Sequence, residues 1–261
     1  MSPETDLFAD DSGRFHRFDR EFSAQNVLGD LVNEILDKHV DKLKLKDGEE
    51  RDLSLLISAS FGKGLKTFQA ISRLCVLGFG EDANILLRSN VNLLINTRFI
   101  LSDKNPVDRA KEFIAYSIKE RLKYLDLAHE GKRPTWAEKI DPEEIERDAE
   151  RWKRINIQMR AEQVARFHYS QGYRLYCSIE HSDAMALNSY ITEWNETGPQ
   201  IGSGPSDEYL GIALVHSFSV MADLLVTVMQ YFGIDRPDVL EKLKQTWSEL
   251  AQDRAGRGEQ G

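Results

Sequence analysis

The sequence predicts an all-α protein, a multi-helix bundle of seven to nine helices. Three observations predict it. Apolar residues recur at helical period through long segments of the 261-residue chain. Glycines and prolines fall at the joints between those segments. No stretch alternates with the period of two that a half-buried strand requires, and no internal repeat is visible.

The elements follow in order. Residues 1–20 read as a tail and 21–252 as one helical domain, with a disordered tail over 253–261. Segment 22–45 places Val27, Leu28, Leu31, Ile35, His39 and Leu43 near one stripe. Segment 51–77 stops at Gly78-Phe79-Gly80, a natural helix end. The next helix opens on Glu81-Asp82, acids that suit the positive end of the helix dipole, and runs to about Leu101. Asn105-Pro106 has the form of an N-cap followed by proline in the first turn, and opens a helix reaching Glu130-Gly131. Asp141-Pro142 repeats the device before a helix to about Arg166. The segment YRLYCSIEHSD (173–183) contains no breaker and continues the helical pattern. Residues 196–205 (ETGPQIGSGP) read as a loop. Ser206-Asp207-Glu208 opens a hydrophobic helix that ends at Gly233, and a short helix from Pro237 to about Gln252 completes the chain.

Composition narrows the function classes. The net charge of −9 repels nucleic acid at long range, so any RNA contact must be local, through a few placed cations. The N-terminus, MSPETDLFADDSG, is acidic and lacks the apolar run of a signal peptide. Residues 211–234 are long and apolar enough to suggest a membrane span. They carry His216, Asp223 and Gln230 and lack basic flanks, which favours a buried core helix and no membrane. Cys75 and Cys177 read as reduced thiols, and the expected location is the cytoplasm.

Two polar stripes interrupt apolar helices. In EDANILLRSNVNLLINTRFIL (81–101), Arg88, Asn92 and Asn96 recur every four residues. Such a stripe is either a solvated face or a satisfied interior network, because an isolated buried charge is costly. In 173–183, Tyr173, Cys177 and His181 also recur every four residues. Arg174 and His181 are seven apart, which at ~100° per residue leaves them ~20° short of eclipsing. The pair, with Ser178 one turn from Arg174, suits one phosphate-sized anion; the alternative is a core histidine bonded to a neighbour.

The pairing of LLRSNVNLLINTRF with YRLYCSIEHSD resembles an uncharacterised family of bacterial helical proteins, over roughly residues 55–235. More widely, an arginine followed by a short spacer and a histidine is similar to the signature of the HEPN superfamily, helical nucleotide-binding domains. That resemblance implies a metal-independent ribonuclease of toxin–antitoxin or phage-defence systems, or an inactive relative. It also implies a homodimer, with Arg174 and His181 as the matching catalytic pair and no cofactor. This chain departs from the signature: Leu175 stands where a polar residue is usual, Cys177 where a serine is, and Asn92 where an acid is.

The chemistry is coherent. In RNA the 2′-hydroxyl attacks the adjacent phosphate. An imidazole with a pKa of ~6.5 can accept or donate the proton, and a guanidinium steadies the developing charge. His181 takes the first role and Arg174 the second, with Tyr173, Ser178 and Arg88 orienting them.

Other chemistries find little support. No Glu-x-x-His pair suits a di-iron site and no Cys-x-x-Cys suits zinc. FGKGLKT (61–67) fails the glycine spacing of a phosphate loop and follows no strand. Arg147, Arg151 and Arg154 lie among acids, as on a salt-bridged solvent face, and are the other place to look for phosphate contacts. The competing function class is a non-catalytic helical interaction module or dimeric adaptor with a protein partner.

Overall fold

A computed structural model describes residues 12–128, 141–181, 187, 190–195, 198–202 and 204–256. The fold is all-α, and eight helices of eight residues or more are present among the described residues. In chain order they and the shorter helices are α1 (Ser12–Arg17), α2 (Asp19–His39), α3 (Arg51–Leu77), α4 (Gly80–Ser102), α5 (Pro106–Ala128), α6 (Pro142–Lys153), α7 (Ile157–Val164), α8 (Arg166–His168), α9 (Arg174–Glu180), α10 (Leu210–Tyr231) and α11 (Pro237–Gly256). A 3₁₀ turn, Gly48–Glu50, precedes α3, and a π turn, Tyr169–Tyr173, joins α8 to α9.

The chain divides into two compact units: Met1–Lys44, Phe61–Leu94 and Phe167–Gly261 form one, Leu45–Ser60 and Ile95–Arg166 the other. In the first, α10 is the core helix. It is long and apolar enough to cross a membrane, yet its Leu214, Phe218, Leu224 and Leu225 are each at most 1% exposed. Leu28, Val32 and Ile35 of α2 are equally buried. Gln25 of α2 is the polar tie: its Nε2 donates to the Leu214 carbonyl at 2.7 Å, and the Ser217 hydroxyl donates to its Oε1 at 3.3 Å. In the second unit α5 and α6 pack around Trp152.

Helix ends follow the sequence signals closely. Gly78, at φ +83°, closes α3: its N–H donates to the Cys75 carbonyl and that of Phe79 to the Leu74 carbonyl. Gly233, at φ +63°, closes α10 in the same way, with Ile234 N–H donating to the Met229 carbonyl. Both are left-handed C-caps that satisfy the last carbonyls. Asp141 caps α6 by accepting from Glu143 N–H at 2.9 Å. Asn105 Oδ1 accepts from Asp108 N–H at 3.4 Å at the start of α5.

Three expectations change. Residues 12–17 and 19–20, expected as tail, are helical. Arg14, 6% exposed, donates from Nε to Asp207 at 2.8 Å and from Nη1 to the Val76 carbonyl, and Arg17 joins the same carboxylate at 2.6 Å. The single helix expected from 142 to 166 breaks after Lys153, where Asn156 recaps the chain by accepting from Met159 N–H at 2.9 Å. The expected strand-free fold contains one short antiparallel ribbon, β1 (Ile191–Asn195) with β2 (Gly198–Ile201), paired Ile191 to Ile201 and Asn195 to Gly198. Part of the expected loop 196–205 is therefore strand, consistent with the β-branched and aromatic run Ile191-Thr192-Glu193-Trp194. FGKGLKT lies inside α3, in the helical segment expected over 51–77: a Cβ on Gly64 would stand 2.5 Å from the Leu224 side chain, so this glycine serves close helix packing.

Candidate functional site

The polar groups of the first unit gather where the segment 167–181 meets α10 and the first half of α4. The π turn Tyr169–Tyr173 inserts one extra residue into an otherwise continuous helix. Tyr169 and Tyr173 stack across it with ring centroids 4.8 Å apart and an interplanar angle of 22°. Gly172 lies at its end: a Cβ there would meet the Tyr176 hydroxyl, so the glycine lets that buried tyrosine lie against the turn. The Tyr176 hydroxyl pairs with His216 Nδ1 on α10. Two turns further along α10, Asp223 Oδ2 pairs with Nε2 of His168, itself 6% exposed, at 2.8 Å.

On the other side Arg88 of α4 forms an ion pair with Glu180 of α9. Its Cζ also lies 5.5 Å from the centre of the Tyr173 ring, within cation–π range. Arg88 and Asn92 are half-buried, so this stripe is not a solvated face; the partner that a buried arginine requires is the Glu180 carboxylate. Asn96, two turns on from Arg88, belongs to the other unit, where its Oδ1 accepts from Arg160. Arg88 Nε, Asn92 Oδ1 and Ser178 Oγ are buried and make no hydrogen bond among the described residues.

Of the predicted catalytic pair, His181 is exposed. It is the C-cap of α9, and its N–H donates to the Cys177 carbonyl at 2.9 Å. The α9 backbone is unbroken from Arg174 to this residue, so the two-turn relation holds for the main chain. The Arg174 side chain lies outside the described residues. Tyr173 is buried at 7% exposure and Cys177 is a half-buried free thiol. Cys75 is of another kind: burial pushes its thiol up to about 12, far from the reactive thiolate.

Against known families, residues 54–198 match one model, described as a family of unknown function (DUF5677). The chain belongs to DUF5677. No curated protein and no solved structure matches it. The DUF5677 match spans every residue singled out from the sequence: Arg88, Asn92, Tyr173, Arg174, Cys177, Ser178 and His181. It stops before α10, and so holds only His168 and Tyr176 of the two pairs that α10 completes.

Those two pairs were missed by sequence reasoning. Their signal was present: His216 and Asp223 are seven apart in an apolar helix, on one face. Their partners His168 and Tyr176, on either side of the π turn, were not legible, because helical phase cannot be carried across an inserted residue. Arg147 and Arg151 of α6 are exposed among acids as expected, Arg147 near Glu144 and the half-buried Asp148 and Arg151 near Asp148. Among the described residues no group of three or more His, Cys, Asp or Glu could hold a metal ion.

Proposed function

We propose that the protein is a HEPN-like endoribonuclease of bacterial defence or stress response, working in the cytoplasm as a homodimer, with His181 as acid or base and Arg174 as phosphate clamp. The carrying observation is the exposed His181 at the end of an unbroken α9 that begins with Arg174. A histidine sealed in the core would have supported a purely structural role. Arg88 fits a positioning residue: paired with Glu180 beside His181 and stacked on Tyr173 beside Arg174, it fixes both ends of α9. Tyr173 and Ser178 belong to the same positioning set.

The experiment is direct. Purified protein is incubated with labelled RNA and chelator beside its His181→Ala and Arg174→Ala variants. Cleavage by the parent, lost in both variants, is expected; equal cleavage by all three, or none by any, removes the proposal.

A second reading, a dimeric adaptor without catalysis, draws on the apolar side chains around the ribbon. Leu187 is 55% exposed, Tyr190 41% and Ile201 66%. Exposed large apolar side chains close together in the chain are candidates for an association surface. Light scattering of the purified chain is expected to give the mass of a dimer; the mass of one chain removes this reading.

A further inference from the structure

The strongest unassigned feature is the outer face of α3. From Leu53 to Gly80 the chain carries no aspartate or glutamate, although 43 of its 261 residues are acidic. That run holds three cations, Lys63, Lys66 and Arg73, and all three are exposed. At ~100° per residue they fall within an arc of ~80°, over a length of ~15 Å. The exposed residue between them is Gln69, Gly62 precedes Lys63, and no large apolar side chain of 61–77 is exposed.

Most cations elsewhere have partners. Arg88, Arg109, Lys119, Arg147 and Arg236 all sit in ion pairs. No hydrogen bond or ion pair engages Lys63, Lys66 or Arg73 among the described residues. Like charges along one helix face repel each other modestly, and a bound anion relieves that repulsion. The opposite face is fixed: Gly64 packs on Leu224, and its carbonyl accepts from Asn90 Nδ2 at 3.1 Å. The cationic face is therefore held rigidly outward.

We infer that this face is a docking stripe for the phosphate backbone of single-stranded nucleic acid, read without sequence preference. A protein partner would call for apolar or aromatic anchors at the centre of the contact, and the stripe has none. Rings on which bases could stack are also lacking, which confines the contact to the phosphates. What remains is three charges within ~15 Å of one helix face, suited to the phosphates of a flexible strand. As a substrate-docking face the stripe rests on the ribonuclease reading; as a binding face it is tested without cleavage.

The probe is a fluorescein-labelled oligodeoxythymidine, which lacks the attacking 2′-hydroxyl, titrated with the full chain and followed by anisotropy. Three neutralised phosphates give a slope of about −2 in log affinity against log salt, hence ~20-fold weakening between 50 and 200 mM. The K63Q/K66Q/R73Q variant, checked for unchanged thermal melting, is expected to bind at least ~10-fold more weakly at low salt with a slope near zero. An oligouridine bound with the same affinity and slope supports the backbone reading. Equal binding by parent and variant overturns the proposal, as does no binding at low salt, or capture by anionic lipid vesicles but not by the oligonucleotides. Loss of RNA cleavage with this binding intact counts only against His181 and Arg174.

Discussion

Trp152→Ala is expected to destabilise the protein by about 3–5 kcal/mol, the cost of removing a large aromatic side chain from a packed core. Trp152 is 2% exposed and is the common neighbour of three groups. The Phe99 ring meets it edge-on at 5.8 Å, the Phe113 ring lies at 4.8 Å, and Arg160 Cζ sits 4.2 Å from its centre. Arg160 is otherwise held by the Ile155 carbonyl, to which its Nε donates at 2.8 Å, and by Asn96. Removing the indole leaves a cavity and takes away the π face under a buried cation. Trp152→Phe keeps a ring and is expected to cost less than half as much. Urea unfolding of both variants measures the difference; equal losses would show that the ring's contacts are not what matters there.

Gly80→Ala is expected to destabilise by ~1–3 kcal/mol, and Gly62→Ala to stabilise by ~0.5–1 kcal/mol. Both are glycines at or in a helix, but their surroundings differ. A Cβ on Gly80 would stand 2.1 Å from the Glu208 carbonyl oxygen and 2.9 Å from Leu210 N. These are main-chain atoms at the start of α10 and cannot rotate aside. The approach is held by Asn84, whose Nδ2 donates to the Gly80 carbonyl at 2.7 Å and to that of Tyr209 at 3.3 Å. Tyr209 itself has a positive φ of 61°, so the junction has little slack. Gly62 is exposed inside α3, with nothing within 4 Å of where its Cβ would be. There alanine only removes freedom from the unfolded chain. Thermal melts in opposite directions are expected; a shift of the same sign in both would refute the account of Gly80.

Local signals carried the fold. The caps at Asn105 and Asp141 and the left-handed glycines Gly78 and Gly233 are written in neighbouring residues, and each stands where the sequence places it. What escaped depends on partners far along the chain. Arg14 becomes helical and buried through Asp207, a separation of 193 residues. Two boundaries between the compact units fall inside α3 and α4, where no proline or linker composition announces them. The site was legible in part for the same reason. Spacing alone put Arg88 and Asn92 on one face and left open whether that face was solvated or a satisfied interior network. That Arg88 meets the carboxylate of Glu180, adjacent to His181, follows only from the packing of α9 on α4.

The π turn at Tyr169–Tyr173 carries a consequence for comparing this chain with its family. One surplus residue in a helix turns everything after it by ~100° about the axis. A relative lacking that residue would present a different set of side chains to α4 and α10, even with YRLYCSIEH letter for letter the same. Conservation of the motif and conservation of its surroundings are thus separable, and a one-residue gap before Arg174 in an aligned sequence would mark a change of partners rather than a harmless deletion.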